Sequence, residues 1–253
     1  MLTVIAEKKN ISDTKIIIDN KLDCGHIQNV YRLQINDKSD CNHIQNVFRL
    51  KVGDELRVVD GEREYLTKIL SISKKEVILE IIKKMEDNYS LDVNIDMAIG
   101  ILKNDKMNLA VQKLTEIGVN KIIPLKTKRV VVKINEKKEK WETVVREALK
   151  QCRGVKFPKI SEIKKICEID YEKYDKIIFA YENSENSKSI FELIDEKDKD
   201  ILCVIGPEGG ITEEEVDFLK EKNAFEVSLG ARILRAETAS IVVAGIISNL
   251  NLK

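Results

Sequence analysis

The sequence has no excess charge, no long apolar run and almost no histidine, and each lack removes a class of function. Its 43 basic residues are matched by 43 acidic ones, so no global field draws the chain onto nucleic acid and any polyanion must be met by local patches. No stretch approaches the ~18 consecutive apolar residues of a membrane span. The opening MLTVIAEKKN lacks the layout of a secretory leader, and a cytoplasmic protein without membrane contact is expected. Five cysteines, at 24, 41, 152, 167 and 203, form no C-x-x-C pair, which points to reduced thiols. Neither G-x-x-x-x-G-K-[ST] nor G-x-G-x-x-G occurs, so there is no P-loop and no dinucleotide fingerprint. The two histidines, His26 and His43, join Cys24 and Cys41 as four potential zinc ligands. C-x-H is tighter than the usual spacing of structural zinc ligands, and no metal is expected.

What is present begins with a direct repeat. Asp23-Cys-Gly-His-Ile-Gln-Asn-Val-Tyr-Arg-Leu33 recurs seventeen residues later as Asp40-Cys-Asn-His-Ile-Gln-Asn-Val-Phe-Arg-Leu50, identical at nine of eleven positions. A tandem duplication explains it, the period and copy number being too small for a solenoid. The second copy runs into Lys51-Val52-Gly53-Asp54-Glu55, and the first is expected to be an inserted helical turn or loop. From Glu55 to Lys84, β-branched runs at 55–59, 65–72 and 77–82, separated by Asp60-Gly61 and Ser73-Lys74-Lys75, predict short strands of a small antiparallel barrel. Arg57, Arg63, Lys68, Lys74, Lys75, Lys83 and Lys84 are candidates for an RNA-facing surface on it. Glu86 to Ser90 reads as a linker, so the chain divides into domains at 1–88 and 92–253.

The second domain alternates strand and helix, the pattern of an α/β fold with a mostly parallel sheet. Strands are predicted at 93–101, 122–125, 176–181, 201–205 and 225–229. Helices are predicted from Asn104 or Asp105 to Gly118, over 137–153 with Trp141, Val144, Val145, Ala148 and Leu149 as its core face, and over 236–250. Pro124 favours an early or edge position in its strand. The basic stretch after that strand offers Lys126, Lys128 and Arg129 as phosphate contacts.

The chemistry gathers in the last fifty residues. The apolar run Ile201–Ile205 breaks at Gly206-Pro207-Glu208-Gly209-Gly210, after which Thr212 and Glu215 form a capping box. The pattern repeats with a strand, a loop through Gly230 and a nearly all-apolar helix. Two strand-loop-helix units place two glycine-bearing loops at the carboxyl edge of a parallel sheet, where such sheets bind ligands. Arg232 and Arg235 stand beside Glu237 and Thr238 among Ile, Leu and Ala. Charges so close to apolar neighbours are costly unless paired or used.

These strings resemble a known family. GPEGG followed by T-E-E-E, then L-G-A-R-I-L-R-A-E-T-A, is similar to the C-terminal signature of the 16S ribosomal RNA uridine-N3 methyltransferases, the RsmE family of the SPOUT superfamily. The resemblance extends back through Asn104–Met107, Gln112–Val119, Ile122–Leu125, Arg129–Val131 and Glu147–Gln151. It reaches the front of the chain at His43, Arg49–Glu55 and Asp60-Gly61, and the family carries one H-x-x-x-V-x-R-L segment where this chain has two.

The resemblance implies a PUA-like β-barrel in front and a SPOUT α/β domain whose C-terminal end forms a trefoil knot. It also implies a homodimer, S-adenosylmethionine as cofactor, and methylation of one uridine in the decoding region of small-subunit rRNA. Cofactor contacts fall on Gly206, Pro207, Glu208, Gly209, Gly210, Leu229, Gly230, Ile233, Leu234, Arg235, Thr238 and Ala239. RNA contacts fall on Arg49, Lys51, Lys126, Lys128 and Arg129. N3 of uracil is a poor nucleophile until its proton leaves, so either Arg232 or Arg235 is expected to stabilise the uracil anion. Glu237 either accepts the proton or orients an arginine. Methylation of another RNA position, or a non-catalytic role in ribosome assembly, are the alternatives; the intact loops speak against the second.

Overall fold

The computed structural model of the chain describes residues 3–5, 11–15, 29–35, 41–73, 76–132, 134, 136–181 and 187–250. They form two compact units, Met1–Tyr89 and Ser90–Lys253.

The first unit is one six-stranded sheet in the order β1-β4-β5-β6-β3-β2, formed by β1 (Thr3–Ile5), β2 (Ile11–Lys15), β3 (Asn29–Ile35), β4 (Glu55–Val59), β5 (Glu64–Ile72) and β6 (Val77–Met85). Only β1 and β4 pair in parallel. Alternate residues of these strands, among them Leu56, Val58, Ile69, Val77 and Leu79, turn inward to one apolar core.

The two copies of the repeat adopt different structures. The second supplies a π-helical turn, His43–Val47, and buries Cys41 and Ile44 completely in the core, with the Cys41 thiol donating to the Ile35 carbonyl at 3.4 Å. The first copy is not the inserted helical turn or loop its sequence predicts. Its described part, Asn29 to Leu33, lies in β3, between β2 and β6. Open hydrogen-bonding edges on both neighbours take up the backbone of one NV[YF]RL string, whereas the other continues a helical turn. Cys24 and His26 lie outside the described residues.

Arg57 is a second correction. It is buried rather than RNA-facing, donating through Nη2 to Glu64 Oε2 at 2.8 Å and through Nη1 to Thr3 Oγ1 at 3.2 Å, with its guanidinium over the Tyr89 ring. A cation on an inward-facing strand position needs such partners.

The second unit is a wholly parallel sheet in the order β12-β10-β11-β7-β8-β9. Its strands are β7 (Asn94–Gly100), β8 (Lys121–Leu125), β9 (Lys159–Ile160), β10 (Lys176–Ala180), β11 (Asp200–Ile205) and β12 (Phe225–Val227). The helices are α1 (Asn104–Ile117), α2 (Glu139–Cys152), the short α3 (Ile190–Leu193), α4 (Glu213–Glu221) and α5 (Ala236–Leu250). The apolar run of β11 is explained by cover on both faces. Leu202 and Val204 pack with Val216 and Leu219 of α4, and the alternate residues turn to the face where α5 lies on β7 and β11.

Two local expectations shift. The residue capping α1 is Lys103, whose side chain makes no capping bond, rather than Asn104 or Asp105. Pro124 stands late in β8, not early. Its carbonyl accepts from Lys164 N–H on the β9 side, where β9 pairs only with Lys121 and Ile122. Its missing N–H therefore points where no strand continues.

Asp96, on β7, is only 3% exposed and accepts from Asn120 Nδ2 at 2.7 Å, Tyr174 Oη at 2.8 Å and Lys173 Nζ at 3.5 Å. Burial first and the Asp96 hydrogen bond second push the Tyr174 phenol up, so the phenol is locked as a donor. Asp96→Ala removes the buried acceptor shared by exposed Asn120, half-buried Tyr174 and exposed Lys173 and is expected to lower stability by about 1–2 kcal/mol, read as a lower urea midpoint.

Candidate active site

The loops after β11 and β12 meet at the carboxyl edge of the sheet and enclose a cavity of about 640 Å³, within the ~300–1,000 Å³ range of small-molecule sites. The first loop is held against the sheet by Gly100, the last residue of β7. A Cβ built on Gly100 would lie 2.3 Å from Pro207 N, closer than a Cβ comes to a non-bonded atom, so Pro207 rests directly on bare backbone. The loop then leads into α4 through Thr212, whose hydroxyl and Glu215 form the capping box read in the sequence.

From the first loop, Gly206, Pro207, Glu208 and Gly210 line the cavity. Glu208 Oε1 is 3.1 Å from Lys106 Nζ and 3.5 Å from Lys103 N. Burial alone would raise its carboxyl, but hydrogen bonds from its own backbone, from Lys106 and from Lys103 hold it below the usual carboxylate range. Lys106, on α1, lines the cavity as well. Its signal was its place in the Asn104–Met107 string.

The second loop contributes Leu229, Gly230, Arg232, Ile233, Leu234 and Arg235, and α5 contributes Ala239. Gly230 has φ 111° and would have nothing within 4 Å of an added Cβ, so here the chain turns left-handed beside open space. Arg232 and Arg235 are exposed, and neither guanidinium has an ion-pair partner among the described residues. Ile233 is 83% exposed at the same rim. Tyr181 and Ser187, which follow β10, complete the wall; lying between the two loop-bearing strands marks them, while their sequence carries no motif.

Three predicted residues do not line the cavity. Gly209 packs instead on the 126–130 segment, where an added Cβ would meet Arg129 O at 2.9 Å. Thr238 is exposed on the first turn of α5. Glu237, beside it, is only 7% exposed, and its Oε2 is buried without a hydrogen-bond partner among the described residues. An unmet carboxylate oxygen is an acceptor waiting for a donor.

The candidate RNA contacts fall in separate places. Arg49, with φ 54°, and Lys51, whose N–H bonds Asp54 Oδ2 at 2.7 Å, are exposed in the first unit. Lys126 is exposed after β8. Lys128 is ion-paired with Glu214, and its N–H donates to Glu215 Oε1 at 2.9 Å. Arg129 turns to the first glycine loop, donating from Nη1 to Gly209 O at 3.2 Å and to Ile211 O at 3.5 Å.

Comparison with known proteins agrees with the layout. The chain matches the RNA methyltransferase domain family over residues 89–248 and the RNA methyltransferase PUA domain family over residues 37–82. The second match takes in the later copy of the repeat and leaves the first outside. A curated relative, ribosomal RNA small subunit methyltransferase E of Bacillus subtilis, is 34% identical over 72% of this chain and 75% of its own. A methyltransferase of Legionella pneumophila, solved with bound S-adenosylmethionine, superposes with a TM-score of 0.78 at 25% identity over 98% of this chain and 97% of its own. Ribosomal RNA small subunit methyltransferase E from Neisseria gonorrhoeae shares the fold, with a TM-score of 0.78 at 23% identity over 89% of this chain and 94% of its own.

Proposed function

The chain belongs to the RNA methyltransferase family, with a PUA-like domain ahead of the α/β domain, and on that footing we propose that it methylates N3 of one uridine in the decoding region of 16S rRNA. The observation that carries the reading is the pairing of a glycine-walled cavity with two arginines that have no ion-pair partner among the described residues. The cavity suits S-adenosylmethionine, because Gly206, Gly210 and Gly230 present backbone to it without side chains, and Leu229, Leu234 and Ala239 add apolar wall. When bound, the cofactor supplies a methyl group made electrophilic by its sulfonium.

The chain's own residues prepare the nucleophile. The N3 proton must leave before the nitrogen can attack, and the charge then spreads onto the uracil oxygens. Arg232 and Arg235 stand exposed at the rim, their guanidiniums able to meet that charge. Glu237, whose Oε2 has no hydrogen-bond partner among the described residues, either accepts the proton or anchors an arginine. The walls align the reactants and exclude water, which an in-line displacement chiefly requires.

The reading extends to the knotted C-terminal path of the SPOUT fold, to work in the cytoplasm on the small ribosomal subunit, and to a homodimer. The exposed side of α5 supports the dimer: Ile241, Val242, Gly245 and Ile246 are only half-buried while Val243, Ala244 and Ile247 on the other side are fully so, an apolar helix lacking cover along one stripe. Light scattering at micromolar concentration is expected to give twice the mass of the chain; a monomer mass would remove the dimer.

The deciding experiment is transfer of label from S-adenosylmethionine to small subunits from a strain lacking this methylation, with the labelled nucleotide mapped. Label on N3 of a single decoding-region uridine is expected. Label at another nucleotide, or none despite cofactor binding, would overturn the substrate assignment.

A further inference from the structure

The basic stretch after β8 has the composition of a phosphate contact, yet its arginine is committed elsewhere. Arg129 Nη1 donates to two carbonyls of the first glycine loop, Gly209 O and Ile211 O. The backbones touch as well: a Cβ on Gly209 would stand 2.9 Å from Arg129 O and 3.0 Å from Arg129 Cβ. The same segment is tied to the helix that follows the loop, through Lys128 N–H to Glu215 Oε1 at 2.9 Å and the Lys128–Glu214 ion pair. We infer that Arg129 is a positioning residue for the cofactor loop rather than an RNA contact. It clamps Gly209 and Ile211 from outside while Gly100 supports Pro207 from beneath, and this fixes the loop backbone at the cavity wall.

The physical basis is the directionality of a charged donor. Carbonyls drawn toward a guanidinium hold their peptide planes in one orientation, so the groups of Gly206, Glu208 and Gly210 face the cavity without reordering when a ligand arrives. Both bonds leave one nitrogen, so a lysine, which keeps the charge and three donors on a shorter, more flexible stem, would replace them only in part.

The inference rests on the reading of this cavity as the S-adenosylmethionine site, and the test separates the two. S-adenosylmethionine binding is measured by calorimetry without RNA for wild type, R129A, R129K and G209A, followed by steady-state methylation of small subunits. R129A is expected to weaken cofactor binding about tenfold or more, the size of one charge-assisted hydrogen bond. G209A, which pushes the clamp away, is expected to do the same, and R129K to recover part of the loss. KM for subunits and kcat at saturating cofactor are expected to stay within about twofold. Cofactor binding within about twofold of wild type in R129A would overturn the clamp, whatever happens to the subunit KM. A rise in the subunit KM alone would return Arg129 to phosphate contact. Should R129A fail to fold, R129Q, which keeps neutral donors, carries the same measurement. A wild type that binds no S-adenosylmethionine would remove the reading of the cavity itself.

Discussion

Arg235→Ala is expected to lower kcat for methylation of small subunits about a hundredfold or more, the loss typical of removing one donor aimed at developing negative charge. The guanidinium stands at the cavity rim, exposed, with no carboxylate to satisfy it among the described residues. No internal ion pair is lost when it is removed, so folding is expected to be unchanged within about 0.5 kcal/mol, as for other surface substitutions. That makes the kinetic effect readable as chemistry rather than damage. Arg235→Lys restores charge without the planar fork and is expected to recover only a small part of the rate. The check is single-turnover methyl transfer at saturating cofactor together with calorimetric binding of S-adenosylmethionine. A variant that binds cofactor and methylates at the normal rate would exclude Arg235 from catalysis and leave Arg232 as the candidate.

Gly100→Ala is expected to have the largest effect on cofactor affinity. The new methyl would occupy space 2.3 Å from Pro207 N, 2.5 Å from its Cδ and 2.8 Å from its Cα. Neither neighbour can yield by rotating a side chain, because one is strand backbone and the other a proline ring. The first loop must therefore lift from the sheet, carrying Gly206 and Glu208 with it. Overpacking of this kind costs about 1–3 kcal/mol, and displacement of the binding backbone adds to it. Cofactor affinity is expected to fall about a hundredfold, with a thermal midpoint lower by about 2–8 °C. Normal affinity in Gly100→Ala would show that the loop is not held by this contact.

Much of the second unit was legible because its rules are local. The apolar run Ile201–Ile205, the Thr212–Glu215 capping box and the all-apolar stretch Ala236–Leu250 each state their own conformation, and α5 has the predicted bounds. The two loops could be placed at one edge because parallel strands that alternate with helices leave their carboxyl ends together. Which residues of those loops face the cavity was only partly legible. Gly209 and Gly210 are neighbours of the same type, yet one lies on Arg129 and the other lines the wall. Tyr181 and Ser187 enter the wall because β10 lies between β11 and β12, an order no single segment declares.

The repeat shows the division most clearly. Asn29-Val-Tyr-Arg-Leu33 lies in a strand, and Asn46-Val-Phe-Arg-Leu50 leaves a π-helical turn, so nearly identical strings take opposite conformations. Arg57 and Arg129 make the same point with charge: both read as surface cations, and one is buried against Glu64 while the other bonds two loop carbonyls. The sequence by itself determined most strands and helices of the second unit, the short β9 and α3 excepted, that two glycine loops follow two of its strands, and that two arginines stand beside the second. Only the tertiary structure decided which copy of the repeat pairs as a strand and which forms a helical turn, and which cations are spent internally. Those outcomes depend on partners distant in the chain, such as open strand edges, a facing carboxylate or a carbonyl at the right distance, and no local pattern encodes a distance between residues 80 positions apart, as Arg129 and Gly209 are.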